Sequence, residues 1–252
     1  FEYGEFLTRC EPIFIERAKA GIAVEVIVDS ISLRYVGDNP NFWLSKKVPK
    51  AYANKIHSQT KELVARWRAA GIAITFSNQS TFLSKLLPIS GRNHIKIYAV
   101  DDTVWLGGIN AFDDALTYID FMVPFTDRAI VENVCEQFHK IDLNKPKQDY
   151  RISSPPHEVI VDVGNFGRSL IYKEACLMIR QAKSSIIFIS QFVPDGKLLK
   201  ELIKVSQKAV QVTVLTRQKA AFARFPYNLA YDTFMRKTRY NPNIKLFHQK
   251  KK

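Results

Sequence analysis

The sequence predicts an α/β protein built from two similar halves, and three observations carry that prediction. Apolar residues at helical spacing alternate along the chain with short runs rich in β-branched residues. Two pairs of segments recur in the same order in each half. A polar stretch with two adjacent prolines, 145–158, lies between the halves and has the composition of a linker. A duplicated helix–strand unit explains all three observations.

The first half begins with a predicted helix over 4–21, GEFLTRCEPIFIERAKAG, which ends at a glycine typical of a helix stop. A short strand, AVEVIVD, follows over 23–29. The next predicted elements are a helix over 58–71, a strand directly after it, a hairpin over 93–110, a strand over 117–125 and a helix over 128–143. This order of elements predicts helices packed against strands that are distant in the sequence.

In the second half we predict helices around 168–183 and 196–207 and strands over 184–193 and 209–215. Segment 18–29 aligns with 206–217, and GIAITF (71–76) aligns with NIKLFH (243–248). The first copy then lacks an opening strand, and the second stops shortly after its second repeated segment. We therefore expect the chain to be part of a longer protein. The predicted domains are a first half over 1–144, a linker over 145–157 and an incomplete second half over 158–252.

Composition indicates the kind of partner without identifying it. The 252 residues contain 37 Lys and Arg against 24 Asp and Glu, a net charge of +13. Such an excess favours anionic partners, such as nucleic acid, acidic lipid headgroups or phosphorylated substrates. It is also compatible with a solvated basic surface that has no partner.

Cysteine usage and hydropathy narrow the class of protein. Cys10, Cys135 and Cys176 are scattered and odd in number, which argues against a disulfide framework or a zinc site and suits a reducing compartment. No apolar run approaches the length of a membrane span, so contact with a membrane would be peripheral.

The stretch 93–110, NHIKIYAVDDTVWLGGIN, is the strongest candidate for a site. In a strand, His94, Lys96 and Tyr98 share one face. If Asp101 and Asp102 form the turn, Lys96 faces Gly107, and His94 lies near Ile109 and Asn110. The two glycines would leave room for a ligand. A base, a cation and an amide donor around that space suit a tetrahedral phosphate.

The spacing H-x-K, four residues, Asp, then G-G-x-N resembles the HKD signature of the phospholipase D superfamily, and the duplicated α/β halves extend the resemblance over nearly the whole chain. The G-G pair and the phrase SQFVPDGKLLKEL (190–202) resemble the cardiolipin synthase-like branch. The resemblance implies two α-β-α sandwich halves with mixed sheets. In one respect the sequence departs from the family: five residues separate Asp101 from Gly107, where the family usually has six, which predicts a tightened turn.

The resemblance also implies roles for single residues. His94 would be the nucleophile that forms a phosphohistidine, and Asp101 would be a structural member near the turn. Lys96, Gly108 and Asn110 would bind the phosphoryl oxygens. Asp120, in TYIDFMV, would orient the imidazole, although a surface or turn-end carboxylate is the alternative. No cofactor and no metal are implied. His57, His139, His157 and His248 show no metal-ligand spacing.

The function expected from the resemblance is phosphodiester cleavage by a phosphatidyltransferase of the cardiolipin synthase type or by a phospholipase D. A nuclease of the same superfamily is the first alternative, and a non-catalytic phosphate-binding scaffold is the second. The expected partners are a phospholipid headgroup or another phosphodiester, an anionic membrane at its cytoplasmic face, and possible nucleic acid. Because His248 lacks a following Asp and G-x-N, the chain contains a single motif, and we expect it to need a second one, from a longer chain or a homodimer.

One further segment, 221–240, mixes Phe and Tyr with Arg and Lys. Such a segment could lie on a lipid surface or stack on single-stranded nucleic acid. The more frequent case is a helix whose aromatic residues lie in the core.

Overall fold

The structure is a computed structural model of the chain. It describes residues 1–36, 39–40, 48–77, 94–118, 120–139, 148–164, 169–217 and 227–249. The α/β class is confirmed, with parallel and antiparallel strand pairing both present. The chain forms two compact units, Phe1–Ser169 and Leu170–Lys252.

The first unit contains three helices and nine strands among its described residues. The helices are α1 (Glu5–Lys19), α2 (Lys50–Ala69) and α3 (Arg128–His139). The strands are β1 (Glu25–Asp29), β2 (Tyr35–Val36), β3 (Asn39–Pro40), β4 (Ala73–Ser77), β5 (Lys96–Val100), β6 (Thr103–Gly107), β7 (Met122–Phe125), β8 (Tyr150–Ser154) and β9 (His157–Val161). Short 3-10 helices cover Ser30–Arg34 and Asp113–Thr117.

Two apolar cores hold this unit together. In the first, α1 and α2 pack against the parallel pair β1–β4 around the fully buried Trp67. In the second, α3 and the β8–β9 hairpin pack against one face of the antiparallel sheet β5–β6–β7 around Val104 and Ile130. Burial of this apolar surface is the main stabilising term, and it leaves the other face of the β5–β6–β7 sheet for the predicted site.

The second unit is a parallel sheet covered by helices on one face. Its elements are α4 (Leu170–Gln181), β10 (Ser185–Ile189), α5 (Gly196–Ser206), β11 (Gln211–Arg217), α6 (Tyr227–Thr238) and β12 (Ile244–Gln249). The strand order is β10–β11–β12. Side chains from all three helices, among them Ile179, Leu202 and Phe234, share one core with Val212 and Val214 of the central strand.

The predicted duplication has a structural counterpart in the strand registers. Val26 of β1 pairs with Ile74 of β4, and Val214 of β11 pairs with Leu246 of β12. In the two sequence alignments, Val26 corresponds to Val214 and Ile74 corresponds to Leu246. Residues that correspond in sequence therefore also form corresponding pairs in the two sheets.

The backbone between helix and strand repeats as well. Gly21 has φ +82°, and its aligned residue, Ala209, has φ +64°. An L-residue enters this left-handed region only at a cost, so its presence at the same point indicates that both copies need the same turn. Register and backbone together support a duplicated unit.

Two segments differ from their predicted form. The strand predicted over 117–125 is formed only by Met122–Phe125, because Asp113–Thr117 is a 3-10 helix. Residues 150–161, assigned to the linker and the start of the second half, form the β8–β9 hairpin on α3. The predicted domain boundaries at 144 and 158 separate the two copies of the sequence repeat, whereas the two compact units are defined by packing. These boundaries stay a prediction.

Within the described ranges, no helix is both long enough and apolar enough to cross a lipid bilayer.

Candidate phosphate site

The hairpin that carries the candidate site has the predicted register. Lys96 pairs with Gly107, and Val100 pairs with Thr103, so Asp101 and Asp102 form a two-residue turn. Asp101 has φ +50°, and a positive φ at the first loop residue is what short hairpin turns require. The ladder is regular over all five pairs.

The two faces of β5 are divided as the alternation predicts. Ile95 and Ile97 pack into the core formed by α3 and the β8–β9 hairpin. Lys96 and Tyr98 therefore lie on the opposite face. His94, just before the strand, is exposed. Alternation of side chains thus puts the cation on the face that this core leaves uncovered.

The side chain of Lys96 turns back along its own strand. Its Nζ donates a hydrogen bond to the backbone carbonyl of His94, at 2.8 Å. The contact holds the ammonium group at the end of β5 where His94 lies. One short contact thereby holds the ammonium group of Lys96 against the backbone of His94.

The chain leaves the sheet after Gly107 and passes over the face that carries Lys96. The hydroxyl of Tyr98 donates to the carbonyl of Ile109, at 3.1 Å, which places Ile109 on that face. Ala111 then packs against the α1–α2 core, and the N–H of Phe112 donates to the carbonyl of Asn110, at 3.0 Å. Asn110 is therefore held on both sides, while its proximity to His94 stays a prediction.

A residue that the sequence analysis missed ties this loop to α1. The carboxylate of Asp113 accepts hydrogen bonds from the backbone N–H groups of Glu5 and Phe6, both at 2.8 Å. Gly4, at the N-cap, has no side chain to cap the helix, and a Cβ there would overlap the Asp113 carboxylate. The glycine at the start of the helix is the sequence feature that could have predicted this contact, because a helix without its own capping side chain needs an acceptor from elsewhere in the chain.

The expectation that the two glycines leave room for a ligand is wrong on their Cβ side. A Cβ at Gly107 would overlap the backbone carbonyl of Phe121, and a Cβ at Gly108 would overlap both carboxylate oxygens of Asp120. The N–H of Gly108 also donates to the Phe121 carbonyl, at 3.1 Å. The glycines are needed because β7 and the residues before it approach too closely for any side chain, which sequence alone did not reveal.

Asp120 precedes β7 instead of lying in it, and its side chain is exposed. Its Oδ1 accepts a hydrogen bond from the N–H of Phe121, at 2.8 Å. In the sheet, Lys96, Gly107 and Met122 form one row. Because His94 and Asp120 each come two residues before a member of that row, they lie at the same end of the sheet. Because β6 lies between the strands that carry them, these strands are two interstrand spacings apart, about 10 Å in all.

Asp101 lies at the other end of the hairpin. Five residues of strand separate it from Lys96, which corresponds to about 16 Å at the usual rise. It cannot touch a phosphate bound by Lys96, and its structural role stays a prediction.

Among the described residues, no group of three or more His, Cys, Asp or Glu side chains could hold a metal ion. His248 lies in β12, where its Nε2 is 3.0 Å from the Tyr231 hydroxyl and its Nδ1 is 3.3 Å from the Arg217 carbonyl. Since a carbonyl only accepts, Nδ1 donates and Nε2 accepts from Tyr231 when the ring is neutral. His248 therefore has structural partners in the second unit.

Comparison with known proteins gives similarity in structure only. No protein-family model matches the chain, and no curated protein sequence matches it. Polyphosphate kinase from Porphyromonas gingivalis is similar with a TM-score of 0.48 and 14% identity, over 94% of this chain and 33% of that chain. Phosphatidylserine synthase of Haemophilus influenzae Rd KW20 is similar with a TM-score of 0.49 and 10% identity, over 96% of this chain and 73% of that chain. The chain thus spans about a third of the kinase.

Taken alone, the geometry of the first unit brings an imidazole, an ammonium group and a carboxylate to one end of a sheet. A loop carrying an amide is held over the same face. These groups can supply a nucleophile, a fixed positive charge and an orienting acceptor, which are the components that phosphoryl transfer needs.

Proposed function

We propose that the protein cleaves a phosphodiester and transfers the phosphoryl-containing group through a phosphohistidine at His94. The observation that supports the proposal is the contact between Lys96 and the His94 carbonyl, on a hairpin in which Lys96 pairs with Gly107. A cation fixed at that point stabilises negative charge that grows on phosphorus during attack.

In the proposed reaction, an imidazole nitrogen of His94 attacks phosphorus, and the bond from phosphorus to the leaving alcohol breaks. The histidine of the second motif protonates the departing oxygen, and in the following step the same group takes the proton of the attacking hydroxyl. A second hydroxyl, from water or from an acceptor alcohol, then attacks the phosphohistidine, which restores the imidazole. Lys96 and Asn110 hold the phosphoryl oxygens in both steps, and Asp120 stabilises the imidazolium.

Within this reaction class we favour a phosphatidyltransferase of the cardiolipin synthase type, or a phospholipase D. The support is the G-G-x-N form of the motif together with the phrase SQFVPDGKLLKEL. A nuclease would use the same groups on a nucleic-acid phosphodiester, and the net charge of +13 suits it equally. Because the chain has one motif, we expect efficient turnover only with a second motif, from a longer chain or a homodimer.

The test is to incubate the protein with phosphatidylglycerol vesicles and, separately, with single-stranded DNA, and to measure diphosphatidylglycerol, phosphatidate and cut DNA. We expect lipid product with the wild type and a loss of at least about a thousandfold in His94→Asn. His157→Asn, which changes an exposed histidine elsewhere in the same unit, serves as the control.

Trapping the covalent intermediate tests the attack of His94 on phosphorus independently of the overall rate of product formation. An acid-labile phosphohistidine that forms on the wild type and not on His94→Asn supports the proposal even if turnover is slow. DNA cleavage without lipid product would show that the substrate is a nucleic acid and not a lipid. Binding of both substrates with no covalent intermediate and no product would favour the scaffold.

A further inference from the structure

The whole positive excess of the chain lies in its second unit. Residues 1–169 contain 20 Lys and Arg against 20 Asp and Glu, so that unit is neutral. Residues 170–252 contain 17 Lys and Arg against 4 Asp and Glu, which accounts for the entire charge of +13. The long-range attraction of an anionic partner therefore comes from the second unit.

Part of this charge forms a stripe on α5. Lys197, Lys200, Lys204 and Lys208 are spaced three, four and four residues apart, which puts them on one side of the helix and its continuation. All four are exposed. The stripe extends over about 16 Å, from the rise per residue of an α-helix.

The acidic residue of α5 does not interrupt the stripe. Glu201 is buried, and its Oε1 accepts a hydrogen bond from Arg180 of α4, at 3.1 Å. The Arg180 guanidinium is the main cause that lowers the pKa of the Glu201 carboxyl. Glu201 Oε1 also lies 3.8 Å from the Nζ of Lys204, so this lysine of the stripe is paired with it. The exposed charged side chains of α5 are nevertheless all cationic.

The three helices of the unit present their outer faces to the same side. Ile179 of α4, Leu202 of α5 and Phe234 of α6 all pack into one core on one face of the β10–β11–β12 sheet. Because that core lies beneath every helix, the side of each helix turned away from it faces solvent in a common direction. The lysine stripe and the exposed side of α6 belong to this one surface.

Along α6 and the two residues that follow it, the surface combines cations with exposed apolar groups. Leu229 is 57% exposed, Met235 41% and Tyr240 84%. The Arg239 guanidinium lies 5.1 Å from the centre of the Tyr240 ring, and these two residues form a shallow cleft with Met235 and Arg236. Phe234 is buried, so the aromatic residues that the structure describes between 227 and 240 are divided between core and surface.

This combination fits a lipid surface better than a nucleic acid. At the boundary between headgroups and acyl chains, aliphatic and aromatic side chains enter the apolar side while cations remain at the phosphates. A nucleic acid would engage the lysines and could stack on Tyr240, but it offers no apolar environment to Leu229 and Met235.

We propose that the helix side of the second unit is a docking surface for an anionic lipid bilayer. It consists of the lysine stripe on α5 and of Leu229, Met235, Arg236, Arg239 and Tyr240. The inference rests on the proposed function, since a phosphatidyl substrate lies in such a bilayer. Docking by the basic unit would hold the neutral unit, with His94, at the membrane without competing for the substrate phosphate.

The test is co-sedimentation of the protein with vesicles of phosphatidylcholine alone or mixed with phosphatidylglycerol. We expect binding to the mixed vesicles, weakened by salt. The triple variant Lys197→Gln, Lys200→Gln, Lys204→Gln should bind on the order of a hundredfold more weakly. The matched control, Lys19→Gln, Lys55→Gln, Lys61→Gln, removes the same charge from exposed helix positions of the first unit and should bind like the wild type.

A second variant tests the apolar part of the surface. Leu229→Ser should weaken binding to mixed vesicles while leaving binding to a single-stranded oligonucleotide unchanged, because a nucleic acid offers Leu229 no apolar environment. Equal losses in both lysine triples would overturn the proposal, because the effect would then be one of total charge. Oligonucleotide binding through the stripe without vesicle binding would also overturn it.

Failure of the docking surface and failure of the proposed function are distinguishable. Vesicle binding is measured without turnover, and His94→Asn should bind vesicles as the wild type does. If the stripe controls binding while no phosphohistidine forms, the proposed chemistry fails and the docking surface stands. If phosphohistidine forms while the triple variant binds normally, the reverse holds.

Discussion

The carboxylate of Asp120 occupies the space that a side chain at Gly108 would need. The glycine of the G-G-x-N motif thus has a partner within the chain, and the position of Asp120 depends on it. Gly107 is required for a different reason, because the backbone carbonyl of Phe121 lies where a Cβ would be. Two adjacent glycines therefore accept two different kinds of neighbour, and substitutions at them should have different consequences.

Gly108→Ala should displace Asp120 with little loss of stability, because an exposed side chain can move. Gly107→Ala should lower the free energy of unfolding by about 2 kcal/mol, because a backbone carbonyl cannot move without distorting the sheet. Urea unfolding measures both. In an Asp120→Ala background, Gly108→Ala should become neutral for phosphohistidine formation. Equal effects on stability at both glycines would contradict this account.

Asp113→Ala should destabilise the fold by about 1 kcal/mol, because two N–H groups at the start of α1 lose their acceptor. The measurement is thermal unfolding, together with faster amide exchange at Glu5 and Phe6. Asp114→Ala is the matched control, since its exposed side chain lies one residue further along the same 3-10 helix. If exchange at both amides is unchanged in Asp113→Ala, the cap is not formed in solution.

Protonation of Asp127 should make the first unit less stable in acid. Its Oδ1 accepts hydrogen bonds from the Ile130 N–H, at 3.1 Å, and from the Ser154 hydroxyl, at 2.9 Å, and these bonds lower the pKa of the carboxyl. The contribution is complete above the ordinary value of 3.8 and is lost as pH falls through the lower value of the folded state.

The comparison of stability at neutral pH with stability near pH 3 tests this point. Asp127→Asn keeps an oxygen acceptor and should lose part of the acid sensitivity, whereas Asp127→Ala should also be weaker at neutral pH. An unchanged acid sensitivity in Asp127→Asn would show that other carboxyl groups are responsible.

Ala209→Gly should raise the free energy of unfolding by about 1 kcal/mol. Ala209 has φ +64°, and its aligned counterpart in the first unit is already Gly21. Removing the Cβ relieves the cost of the left-handed conformation. The reverse change, Gly21→Ala, should destabilise by a similar amount. A loss of stability in Ala209→Gly would mean that the methyl group makes a packing contact that outweighs the strain.

The α/β class, the repeated unit and the hairpin of the candidate site could be predicted from local patterns in the sequence. Those features depend on local patterns: alternation divides His94, Lys96 and Tyr98 from Ile95 and Ile97, and a pair of polar residues marks the turn. Because each signal lies within a few residues, no knowledge of distant neighbours was needed to predict the Lys96–Gly107 register.

The residues that surround that hairpin could not be predicted from local patterns, because they come from distant parts of the fold. Gly108 against Asp120 and Asp113 against the start of α1 both join residues that are far apart in sequence, by 12 and by more than 100 positions. A glycine in a sequence indicates that space is needed, but not which group fills it. Likewise the sequence showed an excess of positive charge, while the packing of three helices on one face of a sheet decided that the charge forms a surface.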